Sequence, residues 1–174
     1  MRQPGLRASP FLPAVGYAKI LAIVTARRPV DELAIQVLRR DGHLRIAARG
    51  SSMMPFIRDG DVVGITTTES TEVGVGDVVC YEKPPGRLFL HRVIGRNGDG
   101  FVAKGDALAF TELVERAHVL GKVTTVERHG RGRRLDTRTA RWRNRAIAVL
   151  SPLLPRLLSL ALGLRRVWGA RFRG

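Results

Sequence analysis

Few side chains in this 174-residue sequence could do covalent chemistry, and two of them, Ser51 and Ser52, stand side by side. Gly50 precedes them, and Met53, Met54 and Pro55 follow. Glycine frees the backbone just before the hydroxyls and proline withholds a donor just after, so the pair sits on a stiff, apolar-edged bend. Such a bend is a good seat for a nucleophile. The same residues also read as an ordinary turn with solvated hydroxyls. A serine attacks a carbonyl carbon only when a base removes its proton. Imidazole suits that task near neutral pH, whereas an amine with an ordinary pKa of about 10.4 must first be lowered by desolvation. The chain offers four histidines (His43, His91, His118, His129) and four lysines (Lys19, Lys83, Lys104, Lys122). The histidines lack the spacing of zinc ligands. Cys80, the one cysteine, lies in the apolar run Asp77-Val-Val-Cys-Tyr81 and reads as a buried strand residue. No disulfide, metal or cofactor is expected.

The elements that would hold these groups are short strands. Leu44, Ile46 and Ala48 alternate with Arg45, Ala47 and Arg49, a half-buried strand leading into the serines. Asp59-Gly60-Asp61 reads as a structural turn opening a strand over 62–65. Further strands are expected over 78–82, 87–95, 101–104 and 119–128, with Asn97-Gly98-Asp99-Gly100 as a hairpin signal. Residues 66–76 read as a loop without chemistry. Ahead of the strands, Pro29 to Arg40 reads as a helix with Asp31 and Glu32 at its start, Arg39 and Arg40 at its end, and Gly42 as its stop. The fold class is therefore mainly β, a coiled sheet or partly open barrel, with an N-terminal helix and C-terminal amphipathic helices. The expected division is a lead and helix over 1–42, a β domain over 43–128 and a basic helical tail over 129–174.

The formal charge of +15 is concentrated in that tail, where residues 128–174 hold thirteen arginines and one acid, Asp136. Arg138, Arg141 and Arg145 fall on one helical face; Leu157, Leu160, Ala161, Leu164 and Trp168 form an apolar stripe further on. A basic amphipathic segment over 138–173 suits an anionic membrane surface, and its apolar face argues against nucleic acid. The stretch 146–164 is long enough to span a bilayer, but Arg156, Pro152 and Pro155 oppose a span. The apolar run 17–26 is too short to cross, and Lys19 makes it a poor secretory signal. The expected location is the cytoplasm or the inner membrane face, with anchoring through 146–164 as the alternative.

Four blocks in order carry a resemblance: Ser52-Met-Met-Pro55, Gly60-Asp-Val-Val63, His91-Arg-Val-Ile-Gly95 and Lys104-Gly-Asp106. Together, over about residues 43–127, they resemble the signal peptidase I superfamily, which includes self-cleaving repressors of the LexA type. The histidine-containing third block resembles the endoplasmic-reticulum and archaeal branch. The resemblance implies a serine endopeptidase in which Ser52 is the nucleophile, His91 the general base, and Asp106 orients or charges the site. It implies a peptide or small protein precursor bound as an extended strand, with small residues before the cut. Lys104 is a second candidate base. The Ser52 backbone N–H is one donor for the oxyanion. The position two before the nucleophile, which carries a hydroxyl in some members, is Gly50, so Ser51 or a backbone N–H would substitute. After Asp106 the endoplasmic-reticulum pattern of asparagines and a further acid gives way to Ala107-Leu-Ala-Phe-Thr-Glu112.

Two other functions fit parts of the sequence. A self-cleaving repressor would need an Ala-Gly or Cys-Gly site and a helix-turn-helix, and the sequence has neither dipeptide. A non-catalytic or regulatory module of the same fold would bind membrane or nucleic acid through its basic tail.

Overall fold

Alternating side chains with glycine-rich turns should give a sheet with two buried faces, and they do. The computed structural model describes residues 29–69, 72–84, 86–153 and 155. Helix α1 runs over residues 29–41 and ends where the amide of Gly42 donates to the Leu38 carbonyl (3.1 Å). Eight strands follow: β1 (His43–Ala47), β2 (Val62–Thr66), β3 (Val78–Lys83), β4 (Arg87–Asn97), β5 (Gly100–Lys104), β6 (Glu112–Glu115), β7 (Val119–Arg128) and β8 (Arg131–Arg134). A 3-10 turn, Arg116–His118, joins β6 to β7, and helix α2 (Arg138–Leu150) ends the described elements.

All strand pairs are antiparallel, in the order β1-β2-β7-β3-β4-β5-β6, with β8 paired to β7. The sheet is open, as the mainly β reading expects. Register comes from the β4–β5 hairpin, where Asn97 pairs with Gly100, and from apolar side chains on both faces. One face carries Val63, Ile65, Val78 and Cys80 beneath Leu38 of α1 and Met53 and Ile57 of the serine bend. The other carries Val79, Tyr81, Val93, Phe101, Ala103 and Val114. Burial pushes the Cys80 thiol up to about 12, so this cysteine is an inert core residue at neutral pH.

The tail does not begin at residue 129 as a separate helical unit. Arg131–Arg134 form β8 on the same sheet, and the boundary expected after 128 cuts through the β7–β8 hairpin. Thr137 then caps α2, its hydroxyl accepting from the Ala140 amide (3.2 Å), and Ala140, Asn144, Ile147 and Ala148 bury one face of the helix. Ser151 is fully buried and caps the far end, just before Pro152. Residues 151–153 form a turn, so no continuous helix starts at 146 and runs through it. No helix among the described residues is long and apolar enough to cross a membrane. The expected apolar lead at 17–26 and the leucine stripe from 157 onward lie outside the described residues.

Candidate active site

Hydrogen bonds on both sides hold the serine bend as a rigid loop between β1 and β2. The amide of Ala48 donates to the Asp61 carbonyl (2.7 Å), and that of Gly60 returns to the Ala48 carbonyl (2.9 Å). Asp61 accepts the Arg58 amide (2.8 Å) and two bonds from the Arg128 guanidinium (2.7 and 2.6 Å). The Arg128 bond draws the Asp61 carboxyl below the usual carboxylate range. Asp61 is thus the structural turn residue the sequence suggests. Met53 and Ile57 plug the inside of the bend into the core. Gly50 has φ +91°, a conformation costly for a side chain, and its amide donates to Asp59 Oδ1 (2.7 Å). That amide is therefore occupied and does not serve as an oxyanion donor. Ser51 is exposed and Ser52 half-buried.

Ser52 is fastened to the turn after β5. Its carbonyl accepts the Ala107 amide (2.8 Å). A Cβ on Gly105 would lie 2.8 Å from that same carbonyl and 2.8 Å from Leu108, so the close approach requires glycine. The last β4–β5 pair is Arg92 with Lys104, and Gly105 follows directly. Among the described residues the Ser52 hydroxyl and the His91 ring make no hydrogen bond to each other.

The His91 ring leaves β4 on the side of Tyr81 and Val93, whereas Leu88 and Leu90 point to the side of the bend. It is 3% exposed and tilted against Tyr81 and Phe89. Nδ1 lies 2.8 Å from Tyr81 Oη, which lies 2.7 Å from Glu112 Oε2. Lys83 Nζ also binds that carboxylate oxygen. A phenol has one proton, and the carboxylate can only accept, so Tyr81 donates to Glu112. Its oxygen must then accept from His91, which puts the histidine proton on Nδ1. Nε2 is left with the lone pair, the atom a general base needs. Burial pushes the imidazole pKa below its ordinary value, and Glu112 only partly offsets this. For Glu112, burial acts upward, but the Lys83 and Tyr81 bonds and the nearby imidazole prevail and hold the carboxyl low.

Asp106 does not touch His91. It is fully buried, and its two oxygens accept Arg92 Nε and Nη2 (2.8 Å each). Arg92 also donates to the Gly76 carbonyl (2.8 Å) and stacks 5.6 Å from the Phe56 ring of the bend. The expected orienting role thus passes through Arg92: the pair locks β4, the 76 turn and the serine bend together. The group that orients His91 directly is Tyr81, backed by Glu112.

Lys104 is not available as the base. Burial lowers its pKa, yet Nζ gives its donors to Ser151 O (2.8 Å), Ser151 Oγ (2.9 Å) and the Gly105 carbonyl (3.4 Å). It tethers the end of α2 to β5.

A groove of about 530 Å³ starts at Ser52 and runs between Ile46, Ala48 and Met53 on one side and Leu88 and Leu90 on the other. Its walls are two unpaired strand edges. Among the described residues β1 has no neighbour beyond β2, and β4 before Arg92 pairs only with β3. Compared with protein-family models and with curated proteins, the chain matches none. The fold therefore carries, in chemical terms, an open antiparallel sheet with an apolar groove lined in part by Ser52 and, on the opposite face, a histidine linked through Tyr81 to Glu112.

Proposed function

We propose that the protein is a serine endopeptidase that cleaves a peptide or small protein precursor bound as an extended strand. One observation supports the reading: the His91–Tyr81–Glu112 chain fixes the proton on Nδ1 and leaves the basic lone pair on Nε2. An extended peptide laid in the groove would add a strand to the open edges of β1 and β4, its backbone supplying affinity and alternate side chains specificity. The apolar walls suit apolar side chains, and the superfamily resemblance favours small ones ahead of the scissile bond.

Ser52 attacks the carbonyl carbon while His91 Nε2 takes the hydroxyl proton; the acyl-enzyme forms and the amine leaves with that proton. This step needs Oγ within about 3 Å of Nε2, so it needs the His91 ring brought to the face of the sheet on which the bend packs. The Ser52 N–H, which has no backbone partner among the described residues, is the oxyanion donor. Glu112 and Tyr81 stabilise the imidazolium as it forms, and Arg92–Asp106 holds the strand that carries it.

The test is cleavage of a peptide library with small residues at the two alternate positions before the cut. Loss of cleavage in both Ser52→Ala and His91→Ala supports the assignment; full activity in either refutes it. The superfamily resemblance supports the same reading through four blocks of sequence.

A further inference from the structure

Helix α2 buries one face and leaves another that is unusual for a protein surface. Trp142 is 74% exposed, Val149 76%, and Leu150 and Leu153 about half. Within α2, residues 142, 146, 149 and 150 follow the helical repeat and make one apolar stripe, and Leu153 lies in the turn just beyond it. Arg138, Arg141 and Arg145 run beside it, and none makes an ion pair with a described residue. With Lys122 and Trp142 they line a recess of about 340 Å³ against the 72–77 turn. Four cations and an indole there face two acids, Glu72 and Asp77. Those acids are already engaged, Glu72 by the Thr68 hydroxyl and Asp77 by the Gly74 amide.

We infer that this face of α2 docks on an anionic phospholipid surface, with Trp142, Val149 and Leu153 entering the interface and the arginine recess taking lipid phosphate. Three features select lipid. Exposed arginines supply charge complementarity to an anionic leaflet. The indole has one apolar and one polar edge, which suits the headgroup boundary. Nucleic acid would use the arginines but has no use for the valine and leucines between them.

The docked helix is mechanically joined to the candidate site. Ser151, at its end, is held by Lys104, next to the Gly105 turn on which the Ser52 carbonyl rests. A helix lying on the membrane would thereby hold the candidate site close to a membrane-bound precursor. That last consequence rests on the peptidase reading; the docking itself does not.

The test uses full-length Ser52→Ala protein, so that cleavage plays no part, in flotation with phosphatidylcholine vesicles with or without about 30% phosphatidylglycerol. Binding to the anionic vesicles only is expected. Arg141→Gln with Arg145→Gln should weaken it roughly 25-fold, at about fivefold per arginine. Trp142→Ser with Val149→Ser should weaken it at least tenfold while circular dichroism and the melting temperature stay unchanged. Trp168→Ser, outside α2, should bind as the parent does. Equal binding to neutral vesicles would overturn the proposal. So would undiminished binding by both α2 double variants, or loss confined to Trp168→Ser. Duplex DNA is the competing arm: if it binds more tightly than the anionic vesicles and its affinity ignores Trp142→Ser with Val149→Ser, the surface is a nucleic-acid site. Free phosphate at millimolar concentration should not displace the vesicles; if it does, the recess is a small-anion site instead.

Discussion

Tyr81 Oη sits between His91 Nδ1 and Glu112 Oε2, at 2.8 and 2.7 Å, and so decides which imidazole nitrogen is basic. Tyr81→Phe removes the relay but keeps the ring. Partners that orient a functional histidine commonly contribute a factor of roughly 10 to 100. The variant should lose about that much kcat with little change in KM. Steady-state kinetics on one good peptide checks it.

The same chain sets a pH dependence. The base must be neutral, and burial holds the His91 pKa below about 6.5, its ordinary value. The rate, kcat/KM, should therefore rise with pH through a midpoint below 6.5 and be flat by neutrality. Glu112→Gln removes the charge that favours the imidazolium, so the acid limb should move to still lower pH. A limb that moves up, or that stays with the lysines far above neutrality, would assign the base elsewhere.

Asp106→Asn should act on stability first. Breaking one side of a buried ion pair costs about 3–5 kcal/mol, because the Arg92 charge stays behind without its partner. Urea unfolding should show that loss. The pH midpoint of the remaining activity should shift little, which separates a positioning role from direct contact with His91.

Lys104→Met tests the competing base. If Lys104 only tethers Ser151, kcat/KM should stay within a few-fold, while stability falls by about 1–3 kcal/mol for the Ser151 groups left unpaired in the interior.

Gly105→Ala should damage the site without touching a titratable group. The added methyl would press on the Ser52 carbonyl at 2.8 Å and push the bend from β4. A displacement of about 1 Å can cost 100-fold in rate. A large fall in kcat with a modest change in melting temperature is the expected pattern.

How far these features can be read without coordinates follows from their range along the chain. The main strands, the β4–β5 hairpin and the helix stop at Gly42 are local signals, and they appear where side-chain alternation and turn residues place them. β8 is Arg-Gly-Arg-Arg, wholly exposed, with no apolar alternation to reveal it. β6 is four residues long and shows only through its pairing with β5. The serine bend is equally local, and its role as a rigid seat is visible in Gly50, Pro55 and Asp61. The histidine relay is not local. Tyr81 and Glu112 lie on β3 and β6, which neighbour each other only around β4 and β5, so no spacing in the sequence announces them. Asp106 carries the right charge near the right strand, but its carboxylate faces Arg92, a partner that only the tertiary fold reveals.

The central claim is that Ser52 and His91 share one proton. Its most direct test is intact-mass detection of an acyl-enzyme formed from an activated ester of an N-acylated alanine. The account expects one acyl group on Ser52 in the parent protein and in Ser51→Ala, none in Ser52→Ala, and formation slowed at least 100-fold in His91→Ala. An adduct on Ser51, or one that forms on Ser52 at the parent rate without His91, would contradict it.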